Sequence, residues 1–159
     1  RVIAEITIPS GLLEKVMGTT AEALYKARSV NQVGSLLAGS INTGAHSANG
    51  ITATFIATGQ DVANVAESSA AIVYADLDHN GNYYLSITIP SLIVATYGGG
   101  TGLPTQQECL KMMGCSGAGK VNKLAEIIGA TVMAGEISLM SAVLAGDWVT
   151  SHDALGRNR

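Results

Sequence analysis

Three consecutive glycines, Gly98, Gly99 and Gly100, follow an apolar, β-branched run and stand inside the segment TYGGGTGLP, residues 96–104. Glycine lacks Cβ and adopts positive φ angles freely, so a run of glycines is typical of backbone that closely approaches another group. Backbone N–H groups at such a loop can face a cofactor, although a flexible surface loop has the same composition. The spacing is not that of a Rossmann fingerprint, and no βαβ pattern follows it.

Composition allows a single domain with a sizeable core. Hydrophobic residues make up 47% of the 159 residues and aromatic residues only 4%, so small side chains favour closely packed helices. The formal net charge is -3, which argues against a nucleic-acid partner because phosphate binding needs a concentrated basic surface. Cys109 and Cys115 lack nearby His pairs, so we expect no metal site and reduced thiols in a cytoplasmic setting.

The longest apolar stretch covers residues 124–149 and is interrupted by Glu126, Glu136 and Asp147. Charged side chains are costly within a bilayer, and the first residues do not resemble a signal peptide. We therefore expect this stretch to be buried in protein, with no membrane segment in the chain.

Periodicity predicts strands over residues 2–8, 70–76 and 83–89, the last two joined by a tight hairpin at Asn80-Gly81. Helices are predicted over 11–28 with a break at 18–20, from the end of a loop over 34–50 to about residue 69, over 104–113 and over 122–145. The predicted fold class is α+β, with a long buried central helix, antiparallel strands and further helices.

Four polar residues are candidates for chemistry. Asp61 lies among apolar and small residues, where a carboxylate needs partners, although a surface or ion-paired aspartate is the simpler interpretation. His152 follows Ser151 beyond the long helix and carries an imidazole able to transfer protons near neutral pH, yet a lone histidine is more often a surface residue. His46 and Asn49 share a helix face if the helix has already begun; a capping and turn segment is the alternative.

Residues 114–120, GCSGAGK, match the opening of a phosphate-binding P-loop. The next residue is Val121, which cannot bind magnesium as the usual Ser or Thr does. A helix is also predicted before the motif, where a P-loop requires a strand. A nucleotide-binding P-loop protein is therefore the least favoured function.

The patches GQD (59–61), TYGGGTGLP (96–104), VMAGEISLM (132–140) and SHDALGR (151–157) together resemble the 3-hydroxy-3-methylglutaryl-CoA reductase family. The resemblance runs along essentially the whole chain from VIAEITIP onward. It implies that residues 1–159 are the carboxy-terminal portion of the family's catalytic large domain. The family's catalytic lysine and glutamic acid, and its small cofactor-binding domain, lie upstream and are absent from this chain.

The resemblance implies an oxidoreductase that converts hydroxymethylglutaryl-CoA to mevalonate and free coenzyme A with two NADPH, NADPH being favoured over NADH. Asp61 would set the charge states of the upstream lysine and glutamic acid, and His152 would protonate the departing coenzyme A thiolate. Implied substrate-binding residues are His46, Asn49, Ser138, Leu139, Ala142, Val143 and Ser151. Implied cofactor-binding residues are Tyr97, Gly98, Gly99, Gly100, Thr101 and Arg157. No metal is implied.

Some expectations rest on departures from the family pattern. The segment RSVNQV, residues 28–33, lacks a lysine that meets coenzyme A in the family, and Arg28 could substitute for it. Without the upstream lysine and glutamic acid, the alternative function is a non-catalytic scaffold or subunit-interface fragment. Family enzymes are homodimers or homotetramers with sites between subunits, located in the cytoplasm or on the cytosolic face of a membrane.

Overall fold

The computed structural model describes residues 1–156, and this range contains three strands and seven α-helices. The strands are β1 (Val2–Ile8), β2 (Ile72–Leu77) and β3 (Tyr83–Ile89). The helices are α1 (Ser10–Met17), α2 (Ala21–Leu37), α3 (Ser47–Thr58), α4 (Val65–Ser68), α5 (Pro104–Met112), α6 (Val121–Ala145) and α7 (Asp147–Ala154), with short 3₁₀ turns at Val62–Asn64 and Gly99–Gly102. The predicted α+β class is confirmed.

The sheet is antiparallel with the order β1-β3-β2. Along the central strand β3 every second side chain is buried, which is the alternation expected of a sheet with one covered face. The helices α6 and α2 pack against β3. The buried side chains of β3 are Tyr83, Leu85, Ile87 and Ile89. Each fully buried Leu or Ile side chain contributes about 1.5–3 kcal/mol to folding, so this face is the main part of the core.

The hairpin between β2 and β3 differs from the predicted tight turn. Gly81 has φ +76°, but within residues 1–156 every positive φ belongs to a glycine, so Asn80 does not adopt the conformation of a type I′ turn. The Asp78 carboxylate instead accepts hydrogen bonds from the backbone N–H groups of Asn80 and Asn82, each at 2.8 Å. The bonds from Asn82 lower the pKa of Asp78. His79 is an exposed turn residue, as predicted.

The break predicted after α1 is confirmed, since Gly18 ends that helix with φ +63° and Thr20 caps α2 by accepting from the Ala23 N–H. The predicted end at residue 28 is wrong, because α2 continues to Leu37. Past residue 28, the Asn31 and Gln32 side chains donate hydrogen bonds to the Thr43 and Val73 carbonyls and so connect this part of α2 to the rest of the fold.

Helix α3 ends eleven residues before the predicted boundary near Ser69. Gly59 follows Thr58 with φ +72°, a left-handed conformation that stops the helix. The chain then turns through a 3₁₀ segment before the short helix α4.

Helix α6 is the long central helix, and its observed start and end agree with the predicted 122–145 within one residue. Leu124, Ile128 and Val132 are fully buried, and the helix packs against β1, α2 and α3. Within residues 1–156, α6 is also the one helix long and apolar enough to cross a membrane by those two criteria alone. Its fully buried Glu136 is instead what a helix inside a protein core accommodates when the carboxylate has partners.

The outer edge of β2 is occupied by side chains from elsewhere in the chain. The Gln32 amide donates to the Val73 carbonyl, and the Val73 N–H donates to the Thr43 hydroxyl at 2.9 Å. Residues 1–156 place no comparable hydrogen bond on the outer edge of β1.

Candidate functional site

The first candidate site is an open depression of about 540 Å³, which we call the glycine cleft. Its lining consists of residues 59–61, 93–95 and 97–101 with Asn64 and Leu103. It therefore brings together two segments that are about 40 positions apart in the sequence, the GQD motif and the glycine run.

Gly59 and Gly100 form the contact that joins these segments. A Cβ atom built on Gly59 would lie 2.3 Å from the Gly100 carbonyl oxygen, and one built on Gly100 would lie 2.7 Å from the Gly59 carbonyl oxygen. Backbone therefore packs directly on backbone here, and any side chain at either position would have to displace it. Close approach, which the glycine run predicts, is confirmed, and the partner is the chain itself.

Gln60 adds a second connection between the two segments. Its side-chain amide donates to the Ala95 carbonyl at 2.9 Å and accepts from the Ala95 N–H at 2.7 Å. This pair of bonds imitates the pairing of two strands, and it fixes the backbone just before Tyr97. Sequence reasoning did not find this role, because a glutamine gives no periodic signal.

Asp61 lies at the exposed side of the glycine cleft. Its carboxylate accepts from the Ala63 N–H at 3.0 Å and so caps the 3₁₀ turn at Val62–Asn64. The expectation of a carboxylate within apolar surroundings is wrong, because Asp61 is exposed. No lysine or arginine lies among the cleft-lining residues that the structure describes.

The glycine run itself presents bare backbone to the cleft. Gly98 and Gly99 have φ +85° and +56°, and Cβ atoms built on them would meet nothing within 4 Å. The Thr101 hydroxyl donates to the Gly98 carbonyl at 2.6 Å and so closes the turn. Tyr97 is 78% exposed beside it. The space beside Gly98 and Gly99 is therefore open.

The second candidate site is a groove of about 670 Å³, which we call the helix groove. One wall is α2 and the other is the end of α6 with Trp148 of α7, and nearly all of its surface is apolar. Leu139 and Val143, both predicted to bind substrate, line it. Lys26 is the cation among the lining residues within the described chain.

His152 lies beyond the long helix α6, as predicted, and is part of the short helix α7. Its ring lies 4.2 Å from the Trp148 ring, centroid to centroid, and its Nδ1 is hydrogen-bonded to the Trp148 carbonyl. A carbonyl only accepts, so Nδ1 carries a proton in this bond. His152 is therefore associated with the helix groove through Trp148, while Asp61 lines the other site.

His46 immediately precedes α3 and is inserted between two glycines. Cβ atoms built on Gly135 and Gly50 would lie 2.1 and 2.7 Å from its ring atoms. Its Nδ1 is buried without a hydrogen-bond partner among the described residues. Asn49, three residues later, is exposed, so the two side chains do not share an inward face.

A buried ion pair behind the helix groove was not predicted. Arg28 Nη1 donates to Glu136 Oε2 at 3.1 Å, and the two side chains are 1% and 0% exposed. Burial raises the pKa of the adjacent Tyr83 phenol, and the Arg28 guanidinium opposes that rise. The expectation that Arg28 could contact coenzyme A is wrong, because the Arg28 guanidinium is buried and paired with Glu136. The available signal was a single glutamate in the apolar segment VMAGEISLM.

The remaining predicted residues are surface groups or lie outside the described range. Ser138 and Ser151 are exposed and Ala142 is half-buried. Arg157 lies outside the described residues. Residues 1–156 contain no group of three or more His, Cys, Asp or Glu able to hold a metal ion.

The segment that matches a P-loop follows helix α5 and not a strand. The Gly117 N–H donates to the Thr96 carbonyl at 3.1 Å, and the Thr96 hydroxyl donates to the Gly117 carbonyl at 2.7 Å. This backbone is bound to the glycine-run segment and lacks the strand–loop–helix context of a phosphate cradle.

A concave site with bare backbone next to a carboxylate, together with an apolar groove, is typical of a domain that binds a small organic molecule. Comparison with known proteins identifies one family. The family model described as hydroxymethylglutaryl-coenzyme A reductase matches residues 1–157. The chain belongs to this family.

Individual relatives agree. The chain is 45% identical to the 3-hydroxy-3-methylglutaryl-coenzyme A reductase of Methanothermobacter thermautotrophicus over 98% of its own length and 39% of the relative's. It is 43% identical to that of Methanocaldococcus jannaschii over 98% and 38%, and 46% identical to that of Drosophila melanogaster over 96% and 18%. The chain therefore spans about two fifths of the archaeal relatives' length.

Proposed function

We propose that this chain is the carboxy-terminal portion of the catalytic large domain of a reductase that converts hydroxymethylglutaryl-CoA to mevalonate and free coenzyme A, with two NADPH. Family membership supports the reductase class. The observation that carries the site assignment is the contact between Gly59 and Gly100, because it holds Asp61 and the bare glycine backbone around one cleft. An upstream part of the same protein completes the site.

The glycine cleft fits the nicotinamide end of the cofactor. Gly98 and Gly99 offer backbone without side chains, and Ile93 and Leu103 add apolar lining. A bound NADPH supplies hydride to the thioester carbon and then to the aldehyde carbon. Among residues 1–156, the cleft lining carries no cation for the cofactor's phosphates, so that end of the molecule is assigned to Arg157 and to the upstream part.

The proposed role of Asp61 is to stabilise a positively charged group at the site. Its carboxylate is held by the Ala63 N–H but keeps one oxygen for another donor. A carboxylate there stabilises a nearby ammonium group, which in turn stabilises the oxyanion that forms as the thioester is reduced. The ammonium is assigned to the upstream lysine.

His152 acts on the leaving group. Its Nδ1 is hydrogen-bonded to the Trp148 carbonyl, which fixes the orientation of the imidazole that would deliver a proton. A coenzyme A thiolate that leaves along the helix groove would receive it. The apolar side chains of Leu139 and Val143 would contact only the methyl and methylene groups of the acyl-CoA.

The test uses the full-length protein that contains this chain. His152→Ala should reduce NADPH oxidation with hydroxymethylglutaryl-CoA about 10²–10⁴-fold, the usual value of general acid catalysis, while reduction of added mevaldehyde, which releases no thiolate, is retained. Asp61→Asn should lower both reductions. His79→Ala, at an exposed turn histidine, is the matched control and should change neither.

Two outcomes would contradict the proposal. If the wild-type protein oxidises no NADPH with either substrate yet folds, the chain belongs to a scaffold or interface fragment of the family. If His152→Ala lowers both reductions equally, His152 does not act as the acid for the thiolate.

A further inference from the structure

The fully buried carboxylate of Glu136 makes three hydrogen bonds, and two of them reach one short stretch of backbone. Oε1 accepts from the His46 N–H at 2.6 Å and from the Ser47 N–H at 3.2 Å, and Oε2 accepts from Arg28 at 3.1 Å. Burying a carboxylate costs free energy unless both of its oxygens accept hydrogen bonds. Both oxygens of Glu136 are satisfied.

The two bonds to backbone N–H groups cap the amino-terminal end of α3. The first N–H groups of a helix have no partner within it, and no side chain from its own start caps α3. Glu136 caps it from α6, about 90 positions later in the sequence. The carboxylate also complements the positive end of the α3 dipole.

The residue that precedes Glu136 receives the side chain of the same histidine. The His46 ring lies against the backbone at Gly135, where a Cβ atom would be 2.1 Å from Nδ1. Gly135 and Glu136 therefore hold both the ring and the backbone N–H of His46. With Nδ1 buried against the helix, Nε2 is the ring atom left to meet a ligand.

We propose that Glu136 is a positioning residue, which holds His46 in the orientation that binds the hydroxymethylglutaryl group, and that Arg28 holds Glu136. The substrate-binding role of His46 is the one that the family resemblance implies, and it rests on the proposed reductase function. Glu136 itself touches no substrate and acts through the start of α3. Its requirement is an acceptor oxygen at the Oε1 position and not a negative charge.

Two double variants of the full-length protein separate these requirements. Arg28→Met with Glu136→Gln removes both charges but keeps an amide oxygen for the His46 and Ser47 N–H groups. Arg28→Met with Glu136→Leu removes both charges and the acceptor. Replacing a buried ion pair by apolar side chains is often neutral for stability, but the Leu variant also leaves the His46 and Ser47 N–H groups without an acceptor, so kcat/KM is compared at a temperature where both variants are folded. Ile128→Val, in the core of α6, is a control for small losses of stability.

The acceptor-keeping variant should retain kcat/KM for hydroxymethylglutaryl-CoA within about threefold, whereas the Leu variant should lose about 10–100-fold, the scale of a misplaced binding group. The KM for NADPH should change in neither variant, because the glycine cleft does not include these residues. Equal kcat/KM in the two double variants, with both folded, would overturn the proposal.

A measurement without turnover separates this inference from the proposed function. With ¹³C-labelled histidine, the His46 ring resonance should keep its wild-type chemical shift in the Gln variant and move or broaden in the Leu variant. An unmoved resonance in the folded Leu variant would overturn the positioning role. Absence of reductase activity in the wild-type protein would instead refute the proposed function and leave this resonance as the test.

Discussion

The glycine cleft and the helix groove are held in place by opposite means. The cleft depends on the absence of side chains, since Gly59 and Gly100 pack backbone on backbone and Gln60 alone bridges to Ala95. The groove depends on a charged pair, Arg28 and Glu136, buried beneath its apolar walls. The cleft should therefore be sensitive to added volume, and the groove to lost charge or lost acceptors.

The strongest prediction concerns the groove. Arg28→Met leaves Glu136 buried without its cation, and breaking a buried pair from one side costs about 3–5 kcal/mol. Urea denaturation should show this loss. A second replacement, Glu136→Leu, should recover only part of it, because the His46 and Ser47 N–H groups then lack their acceptor. Full recovery would mean that the backbone bonds contribute nothing.

The matching prediction for the cleft is Gly59→Ala. Its left-handed φ costs a residue with a Cβ atom about 1–2 kcal/mol, and overlap with the Gly100 backbone adds about 1–3 kcal/mol. Gly81→Ala is the control, because its φ is similar and nothing lies within 4 Å of the added atom. Equal losses of stability in the two variants would show that the backbone at Gly100 moves away from the added methyl group with no measurable loss of free energy.

Gln60→Ala should have a smaller effect. Two hydrogen bonds to Ala95 disappear, and each contributes about 0.5–1.5 kcal/mol, so we expect a loss of roughly 1–3 kcal/mol in the free energy of unfolding. Gln60→Glu keeps the acceptor for the Ala95 N–H but faces its carbonyl with a second acceptor. If Gln60→Glu is as stable as wild type, the amide pairing does not hold the cleft.

The smallest prediction is a pH dependence at the core behind the groove. Burial raises the pKa of Tyr83 above its ordinary value, so the unfolded chain loses this proton first as the pH rises. Stability should therefore fall above pH ~10, the ordinary tyrosine value, and Tyr83→Phe should flatten the fall.

The effect of Tyr83→Phe should be measured in a background variant in which Tyr74 and Tyr84 are already replaced by Phe. Hydrogen bonds to carboxylates raise the pKa of those two phenols as well. An unchanged slope between pH 9 and 11 in the resulting variant would contradict the assignment to Tyr83.

Much of the fold follows from local signals in the sequence. Alternation located β3 to the residue, and a break at Gly18 separated α1 from α2 as predicted. The extension of α2 past residue 28 was not predicted, because the hydrogen bonds of Asn31 and Gln32 to distant carbonyls leave no local pattern in the sequence. The end of α3 was missed because an isolated glycine such as Gly59 does not by itself mark the end of a helix.

The candidate site was predictable only in part. Motifs identified Asp61 and the glycine run, but their meeting depends on the Gly59–Gly100 contact, which no local pattern contains. The Arg28–Glu136 pair joins residues 108 positions apart, and an isolated charge in an apolar helix indicates only that a partner exists.

The side chains of Gln32 and Thr43 are hydrogen-bonded to the backbone C=O and N–H of Val73 at the outer edge of β2. An added strand needs free N–H and C=O groups along an edge, so a segment that pairs with β2 would first have to displace these two side chains. At the other end of the order β1-β3-β2, the outer edge of β1 imposes no such exchange within residues 1–156, and a further strand would pair there at lower cost.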